Sequence, residues 1–284
     1  MTSLAKKKCF ITGAASGIGQ AVAKAAAREG AELFLTDIND KALYETVEDI
    51  RAAGGTVLAW HTLDVSDYEA VREFCDRITR EHGSCDLIMN IAGIAIWGDI
   101  TRLEHRHWKS VVDVNLMGPI HVMECLVPAM VAAGRGGHIV NVSSAAGLFA
   151  LPWHAAYSAS KFGLRGISEV LRFDLKRHGI KVHVVCPGAV DTGLVRTINI
   201  AGIDQTDPEF IKLRSHFQGH AVSPDAAAES ILKGIKKGRF IIYTSLDIRV
   251  GYWFKRHFAL PYELVIGYMT SRMLKLADRQ WKKS

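Results

Sequence analysis

The sequence predicts an α/β fold in which about seven parallel strands form one doubly wound sheet. Short, continuous apolar runs alternate with longer segments of helical period through most of the 284 residues. Strands that are apolar on both faces and alternate with helices are typical of parallel sheets covered by helices on both sides. One such domain can occupy roughly 250 residues. We therefore expect a Rossmann-type domain over residues 1–249 and a helical extension over residues 250–284.

Each predicted strand is a short apolar run that is followed by a segment of helical period, such as residues 17–29 or 41–52. Glycines, among them Gly30, Gly83 and Gly179, stand where the helices should end before the next strand. The seven predicted strands are residues 9–11, 32–35, 56–59, 87–89, 138–142, 182–185 and 240–243.

Composition and charge exclude several classes of protein. Apolar residues make up 49% and charged residues 23% of the chain, which excludes a disordered, collagen-like or disulfide-rich protein. The five cysteines form no C-x-x-C pair, so we expect a reduced, cytoplasmic protein without a metal site. Of the net charge of +6, all but one unit lies in residues 247–284. The nearly neutral remainder argues against nucleic-acid binding.

A glycine-rich turn follows the first predicted strand and leads directly into an alanine-rich helix. Its sequence, TGAASGIG over residues 12–19, places glycines where a side chain would keep the backbone away from a bound pyrophosphate. The free N–H groups and the positive dipole end of the helix would attract the same phosphates. The predicted cradle consists of Gly13, Ser16, Gly17, Ile18 and Gly19.

Asp37 ends the second strand, where the adenosine half of a dinucleotide would lie. It stands eighteen residues after Gly19, and its carboxylate could accept hydrogen bonds from both ribose hydroxyls while repelling a 2′-phosphate. NAD is therefore favoured over NADP. The alternative is a turn residue that caps the next helix, although Asp40 is the better candidate for that role.

Asp64 ends the third strand and could reach the adenine edge, with Val65 beside it as a further cofactor contact. The alternative role for Asp64 is to cap the helix that follows, a role for which Ser66 and Asp67 compete.

Ser144, Tyr157 and Lys161 form a candidate reaction centre. The strand at residues 138–142 runs into Ser143 and Ser144, and Tyr157 follows Ser144 by thirteen residues. Tyr157 and Lys161 are four residues apart and share a helix face, so the ammonium would lower the pKa of the phenol towards the working range. A serine hydroxyl could hold a substrate carbonyl beside them. The Tyr-x-x-x-Lys spacing carries weight only together with Ser144 and the glycine turn.

The ordered set of motifs resembles the classical short-chain dehydrogenase/reductase family over residues 6–245. Ile91 departs from the pattern, since many members carry a second asparagine at that position. The resemblance rests on the glycine turn, Asp64, the Asn-Ile-Ala-Gly segment at residues 90–93, Asn115, Ser144, Tyr157 with Lys161, and the Pro-Gly-Ala-Val-Asp-Thr segment at residues 187–192.

The resemblance implies a role for each of these residues. Tyr157 would be the general acid or base at the substrate oxygen, and Lys161 would bind the nicotinamide ribose and lower the pKa of Tyr157. Ser144, which the spacing favours over Ser143, would hydrogen-bond the substrate, and Asn115 would anchor a water of the proton relay. The other implied cofactor contacts are Asn90, Ala92, Gly93, Pro187, Gly188 and, at the nicotinamide carboxamide, Val190 and Thr192.

The resemblance also places the substrate between three variable segments, residues 94–97, 145–154 and 193–222, which are rich in apolar side chains. We therefore expect an apolar alcohol or ketone, such as a steroid, a retinoid-like molecule or a fatty-chain alcohol. The alternative is that several of these residues pack the core or a subunit interface. His154 is interpreted as a pocket-rim or exposed loop residue, and residues 105–108 as a surface helix rather than a metal site.

The extension at residues 250–284 interleaves aromatic residues with lysine and arginine. It has no uninterrupted run of roughly 20 apolar residues that would span a membrane. One interpretation is a helix that lies on an anionic membrane surface. The other, which we favour, is an extension that packs across a subunit interface or caps the pocket. We expect a homodimer or a homotetramer.

The sequence as a whole predicts an NAD-dependent oxidoreductase that interconverts an alcohol and its carbonyl on a bulky apolar substrate. The alternative is a nucleotide-sensing or scaffold protein that has kept the fold without the chemistry. The complete set of Asn115, Ser144, Tyr157 and Lys161 argues against that alternative. A sugar-nucleotide epimerase also carries Tyr-x-x-x-Lys, but its glycine turn is spaced differently and its chain is longer.

Overall fold

The computed structural model describes residues 3–196, 198–207, 211 and 221–281. Within these residues the main sheet has seven parallel strands in the order β3-β2-β1-β4-β6-β7-β9, and β5 pairs with β8 in a second, two-stranded parallel sheet. The predicted α/β fold with a doubly wound, seven-stranded sheet is therefore confirmed. In chain order the strands are β1 (Lys8–Thr12), β2 (Glu32–Asp37), β3 (Thr56–Thr62), β4 (Leu87–Asn90), β5 (Ile96–Gly98), β6 (Gly137–Val142), β7 (Ile180–Cys186), β8 (Asn199–Ala201) and β9 (Ile241–Tyr243).

Helices cover both faces of the main sheet. A π-helical segment, Asp113–Met117, joins α4 to α5, and short 3₁₀ turns cover Ala145–Gly147 and Lys176–His178. In chain order the described α-helices are α1 (Gly17–Arg28), α2 (Asp40–Ala52), α3 (Tyr68–His82), α4 (His105–Val112), α5 (Gly118–Ala133), α6 (Ala155–Asp174), α7 (Gly193–Arg196), α8 (Pro224–Lys236), α9 (Leu246–His257) and α10 (Ala259–Trp281).

The sheet carries an apolar layer on each face, because successive side chains of a strand point to opposite sides. Ile11 of β1 is fully buried in the layer that contains Val22 of α1. Its neighbour Phe10 points the other way, towards Phe74 of α3 and Leu126 of α5, with the Phe10 and Phe74 ring centroids 5.8 Å apart. Each such side chain stabilises the fold by roughly 1.5–3 kcal/mol. The continuous apolar strands of the sequence follow from this two-sided burial.

A crevice opens at the carboxyl ends of β1 and β4. The chain winds outward from β1 to β3 and then returns to place β4 on the other side of β1. In an open α/β sheet, ligands bind outside the carboxyl ends of the strands at such a reversal of strand order. The turn at residues 12–19 and the segment at residues 90–93 meet at this point.

The structure corrects one predicted helix cap. Asn39, not Asp40, is the N-cap of α2, because its backbone is extended and its side chain accepts a hydrogen bond from the first turn at 3.1 Å. Asp40 is already helical and accepts a hydrogen bond from the hydroxyl of Thr62 at 2.6 Å. At α3 the N-cap is Asp67.

The long helical stretch His105–Ala133 is apolar enough to cross a membrane by length and composition alone. Instead, α5 packs Val122, Leu126 and Met130 into the core against the sheet. Residues 105–108 are predicted to lie on a surface helix, and this prediction is wrong for the side chain of His107. That ring is buried, and its Nδ1 accepts a hydrogen bond from the Glu104 N–H at 3.0 Å.

The C-terminal extension packs on the domain beside α6. The guanidinium of Arg165 donates to the hydroxyl of Tyr252 at 2.8 Å. Lys255 and Tyr262 both hydrogen-bond the backbone of the loop at residues 145–154, at 2.6 and 2.8 Å. The predicted boundary at residue 250 falls inside α9, so the extension begins as a helix that follows directly on the last strand of the sheet.

Candidate active site

One open cleft lies at the carboxyl edge of the sheet and gathers most of the predicted site residues. Each comes from the end of a strand or from the start of the helix that follows it, which is why positions far apart in the chain meet here. The predicted positions that line the cleft are Gly13, Ser16, Gly17, Ile18, Gly19, Asp37, Asp64, Val65, Ala92, Gly93, Ser144, Tyr157, Lys161, Pro187, Gly188, Val190 and Thr192.

Sequence reasoning missed an apolar part of the lining. These side chains offer no group that could react or bind an ion, so they gave no chemical signal. Most of them directly flank a predicted position, as Ile38 flanks Asp37, and that adjacency was the signal that could have found them. The missed residues are Ile38, Leu63, Ile91, Val114 and Val142. Ile94 and Leu194, which also line the cleft, belong to the predicted substrate segments, and Ser143 was the alternative to Ser144.

The glycine turn leaves no space for side chains. Gly13 has a φ of +71°, and a Cβ on it would lie 2.9 Å from the Cα of Ala92. A Cβ on Gly19 would lie 2.0 Å from the carbonyl oxygen of Gly13. Ser16 is the N-cap of α1, but its side chain makes no capping hydrogen bond. The bare turn and the uncapped start of α1 together fit the pyrophosphate of a dinucleotide.

The hydroxyl of Thr12 holds the opposite wall of the cleft against this turn. It accepts hydrogen bonds from the N–H groups of Ile91 and Ala92 at 3.0 and 3.1 Å. Threonine at the start of the motif therefore has a structural role, which is to fix the segment after β4 at the distance that Gly13 requires.

Asp37 supports the glycine turn as well as facing the cleft. Its Oδ2 accepts a hydrogen bond from the Ala15 N–H at 2.9 Å, and its Oδ1 accepts one from the Asn39 N–H at 3.0 Å. Asp37 is therefore not the cap of α2. Its carboxylate ties the end of β2 to the turn that would hold the phosphates.

Asp64 lines the cleft and also stabilises its own turn. Its Oδ1 accepts hydrogen bonds from both the N–H and the hydroxyl of Ser66, each at 2.8 Å. The cap of α3 is Asp67, so Asp64 does not have the capping role that was its alternative.

The two adjacent serines have different partners. The hydroxyl of Ser143 donates to the carbonyl oxygen of Lys161 at 2.9 Å. The Oγ of Ser144 accepts a hydrogen bond from the Ala146 N–H at 3.1 Å and shares a side-chain hydrogen bond with Tyr157. Ser143 therefore ties β6 to α6, whereas Ser144 is hydrogen-bonded to Tyr157 and lines the cleft.

Tyr157 and Lys161 are both buried, and burial dominates the pKa of each. Desolvation lowers the pKa of Lys161 to about 8. Desolvation also raises the pKa of Tyr157, and the hydrogen bond from Ser144 opposes that rise. The ammonium lies 5.7 Å from the centroid of the Tyr157 ring and donates to the carbonyl oxygen of Val142 at 3.0 Å. The predicted lowering of the Tyr157 pKa by the Lys161 ammonium is therefore wrong: burial raises this pKa, and the group that opposes the rise is Ser144.

Asn115 lies in the π-helical segment, directly behind the cleft wall. It is fully buried; its Oδ1 accepts from the Ile94 N–H at 2.8 Å and its Nδ2 donates to the Ile94 carbonyl at 2.9 Å. A Cβ on Gly93 would lie 3.0 Å from the same Oδ1. The π turn, a distortion that is frequent at functional sites, carries the side chain that fixes the backbone next to Gly93.

Asn90 likewise lies behind the wall rather than on it. Its Nδ2 donates to the Oδ1 of Asn141 at 2.8 Å, and Asn141 donates to the hydroxyl of Ser168 at 2.9 Å. This buried network joins β4, β6 and α6. Its contribution to a cofactor site is to hold the strand that carries Ala92 and Gly93.

An apolar cluster packs against Tyr157. The other buried members of the cluster include Trp153, Ile198 and Ile200, together with Ala277 of α10. Leu148, also predicted for the pocket, belongs to a separate core cluster. Phe210, Leu213 and Phe217, which belong to the predicted substrate segment at residues 193–222, lie outside the described residues.

His154 is buried, so of its two expected places the exposed loop is wrong. Its ring stacks on Trp97 with centroids 4.1 Å apart and lies 6.2 Å from the Tyr157 ring. The Nδ1–H donates to the Pro152 carbonyl at 2.5 Å, and desolvation lowers the pKa of His154 to about 4. The ring is therefore neutral at physiological pH.

The segments on either side of this cluster are tied together by backbone pairing. Trp97 of β5 pairs with Ile200 of β8 in parallel register.

Within the described part of the chain, no three His, Cys, Asp or Glu side chains gather to hold a metal ion.

Comparison with known proteins places the chain among dehydrogenases. A family model described as short chain dehydrogenase matches residues 7–201. A relative named SadH from Mycobacterium tuberculosis is 36% identical over 253 residues, which cover 88% of this chain and 90% of SadH.

Two solved structures extend the likeness to three dimensions. A short chain dehydrogenase/reductase from Burkholderia phymatum in complex with NAD superposes with a TM-score of 0.80 at 30% identity, covering 90% of this chain and 95% of the other. A metagenomic short-chain oxidoreductase in complex with NADP superposes with a TM-score of 0.66 at 31% identity, covering 82% and 92%. The fold is therefore one that binds NAD or NADP.

Proposed function

The chain belongs to the short-chain dehydrogenase family and is an oxidoreductase, and from this premise we propose that it uses NAD to interconvert an alcohol and its carbonyl on a bulky apolar substrate. The observation that carries the proposal is the meeting of Ser144, Tyr157 and Lys161 in one cleft, between a bare glycine turn and an apolar cluster. Neither a phosphate cradle nor a buried phenol alone would suggest this chemistry.

The cofactor half of the cleft fits a nicotinamide dinucleotide. The turn at Gly13 and the uncapped start of α1 would hold the pyrophosphate, and Asp37 would accept from the ribose hydroxyls of the adenosine. Among the described residues of the lining, Lys161 is the one basic side chain, so no cation stands beside Asp37 to pair with a 2′-phosphate. This supports NAD over NADP. When bound, the cofactor supplies or accepts the hydride.

The side chains of the protein would transfer the proton that accompanies the hydride. Burial raises the pKa of Tyr157, so its hydroxyl keeps a proton that it can donate to a carbonyl oxygen during reduction. In the oxidation direction the same oxygen accepts the proton of the alcohol. Ser144 shares a hydrogen bond with Tyr157 and would hold the substrate oxygen beside it. Lys161, which lines the same cleft, would bind the ribose of the nicotinamide.

The apolar cluster against Tyr157 supports a bulky apolar substrate. Trp97, Trp153 and Ile200 belong to the same apolar cluster as Tyr157, which supplies indole and hydrocarbon groups next to the cleft that Tyr157 lines. A site of this composition binds through buried apolar area rather than through charge. We therefore propose a steroid-like, retinoid-like or fatty-chain alcohol or ketone.

Replacement of Tyr157 by phenylalanine tests the proposed reaction. The ring volume is kept while the proton donor is lost, so NADH binding should be unchanged and turnover should fall by roughly 10²–10⁴-fold. Turnover is followed by NADH absorbance with a panel of steroid, retinoid and aliphatic alcohols, and NADH binding by its fluorescence. Tyr44→Phe, an exposed tyrosine on α2, is the matched control. Near-normal turnover of Tyr157→Phe would contradict the proposed role of Tyr157 in proton transfer.

A further inference from the structure

Helix α9 turns an apolar stripe outward. Leu246, Val250, Trp253 and Phe254 recur at the spacing of one helix face, and they are 72%, 55%, 56% and 37% exposed. The opposite face of the same helix carries Tyr252, which is buried on the domain beside α6. The helix therefore packs on the domain through the face of Tyr252, and the outward stripe takes no part in that packing.

The aromatic side chains of this stripe are already packed against one another. Phe258, between α9 and α10, lies with its ring centroid 5.1 Å from that of Phe254 and 5.9 Å from that of Trp253. The ring of His257 stacks on Trp253 at 4.7 Å. These side chains contact one another and so form one continuous, largely apolar surface.

Helix α10 continues the apolar surface through its first half. Leu260, Leu264 and Tyr268 follow one another at four-residue spacing and are 75%, 75% and 65% exposed. The opposite face packs inward, where Met273 and Ala277 join the apolar cluster around Tyr157. The helix therefore carries apolar residues on two opposite sides, and the domain covers one of them.

Basic side chains border this surface. Arg249 and Arg256 line a shallow groove together with Trp253, and Arg272 and Lys275 are exposed on the second half of α10. From residue 247 onward the sequence has eight basic and three acidic residues. Aromatic and aliphatic residues flanked by arginine and lysine are the composition that binds the interface of anionic bilayers.

We propose that the outward surface of α9 and α10, here called the interfacial surface (Leu246, Val250, Trp253, Phe254, Phe258, Leu260, Leu264 and Tyr268, with Arg249 and Arg256 at its border), binds the surface of an anionic lipid membrane. Both helices lie along the bilayer and neither spans it. Within the described residues the stretch long and apolar enough to span is His105–Ala133, and it is occupied by core packing.

The charge of the interfacial surface favours a membrane over a second copy of the chain. A two-fold contact brings the same patch of both copies together, so the eight basic and three acidic residues from residue 247 onward would be present twice at that contact. Like charges brought together in this way oppose association. Anionic headgroups instead neutralise Arg249 and Arg256 while the acyl boundary receives Trp253 and Leu264.

Vesicle co-sedimentation of the full-length chain tests the apolar part of the proposal. We expect binding to phosphatidylcholine vesicles that contain phosphatidylserine, and at least tenfold weaker binding to phosphatidylcholine alone. Trp253→Ser combined with Leu264→Ser should weaken binding by roughly tenfold or more, because both exposed side chains leave the interface. Tyr44→Ser, which removes a ring of similar exposure (52%) from α2, should bind like the wild type.

A charge-reversed pair tests the electrostatic part. Arg249→Glu with Arg256→Glu should reduce binding more than tenfold, since each cation near an anionic surface contributes roughly a fivefold effect, and salt should weaken the wild type in the same direction. Lys41→Glu with Lys176→Glu, two exposed lysines on the domain, changes the net charge equally and should have little effect.

Three results would overturn the proposal. One is absence of wild-type binding to either vesicle, and another is equal loss in the matched control variants. The third is a concentration-dependent increase in molecular mass that Trp253→Ser and Leu264→Ser abolish without any vesicle binding, since that would assign the surface to a second copy. Unchanged circular dichroism and unchanged NADH binding of every variant keep loss of folding separate from loss of membrane contact.

Discussion

At the scale of single residues, Asp37 has two roles that a substitution can separate. Its carboxylate accepts the Ala15 N–H at 2.9 Å and so supports the glycine turn. Its charge is the feature that would exclude a 2′-phosphate from the end of β2. Asparagine keeps an acceptor oxygen at nearly the same place and removes only the charge, whereas alanine removes both.

We therefore expect Asp37→Asn to raise the ratio of kcat/KM for NADP to that for NAD by roughly tenfold, the effect of one removed repulsion near the protein surface. Asp37→Ala should shift the ratio in the same direction but weaken binding of both cofactors. Asp40→Asn, in the same turn and bonded to Thr62, serves as the control. An unchanged ratio in Asp37→Asn would contradict the proposed cofactor preference.

A second residue-scale prediction concerns His138 and His183, which share one proton between β6 and β7. The Nδ1 of His138 lies 2.9 Å from the Nε2 of His183, and the Nδ1–H of His183 donates to the Arg239 carbonyl at 2.6 Å. Burial lowers the pKa of His138 from 6.5 to about 4 and also lowers the pKa of His183. Both rings are therefore neutral in the folded protein.

The sign of the resulting pH dependence follows from the lowered pKa of His138. Between pH 6.5 and about 4 the unfolded chain binds a proton that the folded chain does not, so the free energy of unfolding falls as the pH falls. The loss is on the order of 3 kcal/mol and is complete below the folded pKa. In urea titrations across this window, His138→Asn should lose much of the dependence, while the exposed His105→Asn should retain it. Identical slopes for the two variants would rule out the buried pair as the cause.

At the scale of elements, the strands and the strand-end motifs could be predicted because their signals are local. A continuous apolar run such as residues 138–142 reflects burial on both faces, and the glycines at residues 13–19 reflect a close approach of backbone. The pair β5 and β8 could not be predicted in the same way. Each strand has three residues, and each is a strand only because the other lies beside it.

Two further elements escaped prediction for related reasons. The π-helical segment at Asp113–Met117 lies in a sequence with continuous helical character, and its Asn115 side chain is hydrogen-bonded to the distant residue Ile94. Burial of His107 and His154 depends on what packs over them, since histidine is found both inside and outside proteins. These features depend on contacts between residues that are distant in the sequence, so they cannot be predicted from the local sequence.

At the scale of the whole molecule, the extension packs on the domain that precedes it. Composition alone left three interpretations open for residues 250–284. The structure shows the inner face of α10 in the apolar cluster of Tyr157, through Met273 and Ala277. Arg165, on the same helix as Tyr157 and Lys161, donates to Tyr252 of the extension at 2.8 Å. The helix that carries Tyr157 and Lys161 is thus hydrogen-bonded to the extension.

Tyr252→Phe should measure how much this contact stabilises the molecule. The ring and its position over the Arg165 guanidinium, 5.3 Å from centroid to Cζ, are kept, while a hydrogen bond to a charged donor is lost. We expect the free energy of unfolding to fall by about 1–2 kcal/mol and Tm to fall by roughly 2–6 °C, as measured by thermal and urea denaturation. Tyr44→Phe should leave both unchanged. Equal stability of the two variants would show that the extension is not anchored through Arg165.

The pairing of β5 with β8 also bears on how substrate preference can be inherited. Residues 96–98 and 199–201 flank the apolar cluster from distant parts of the chain, yet they share one backbone register, Ile96 with Asn199 through Gly98 with Ala201. Recombination or loop grafting that imports one segment from another family member would bring a strand without its matching partner. We therefore expect substrate specificity to be transferred between relatives only when residues 96–98 and 199–201 are exchanged together. The two segments act as one structural unit, although about a hundred residues separate them in the sequence.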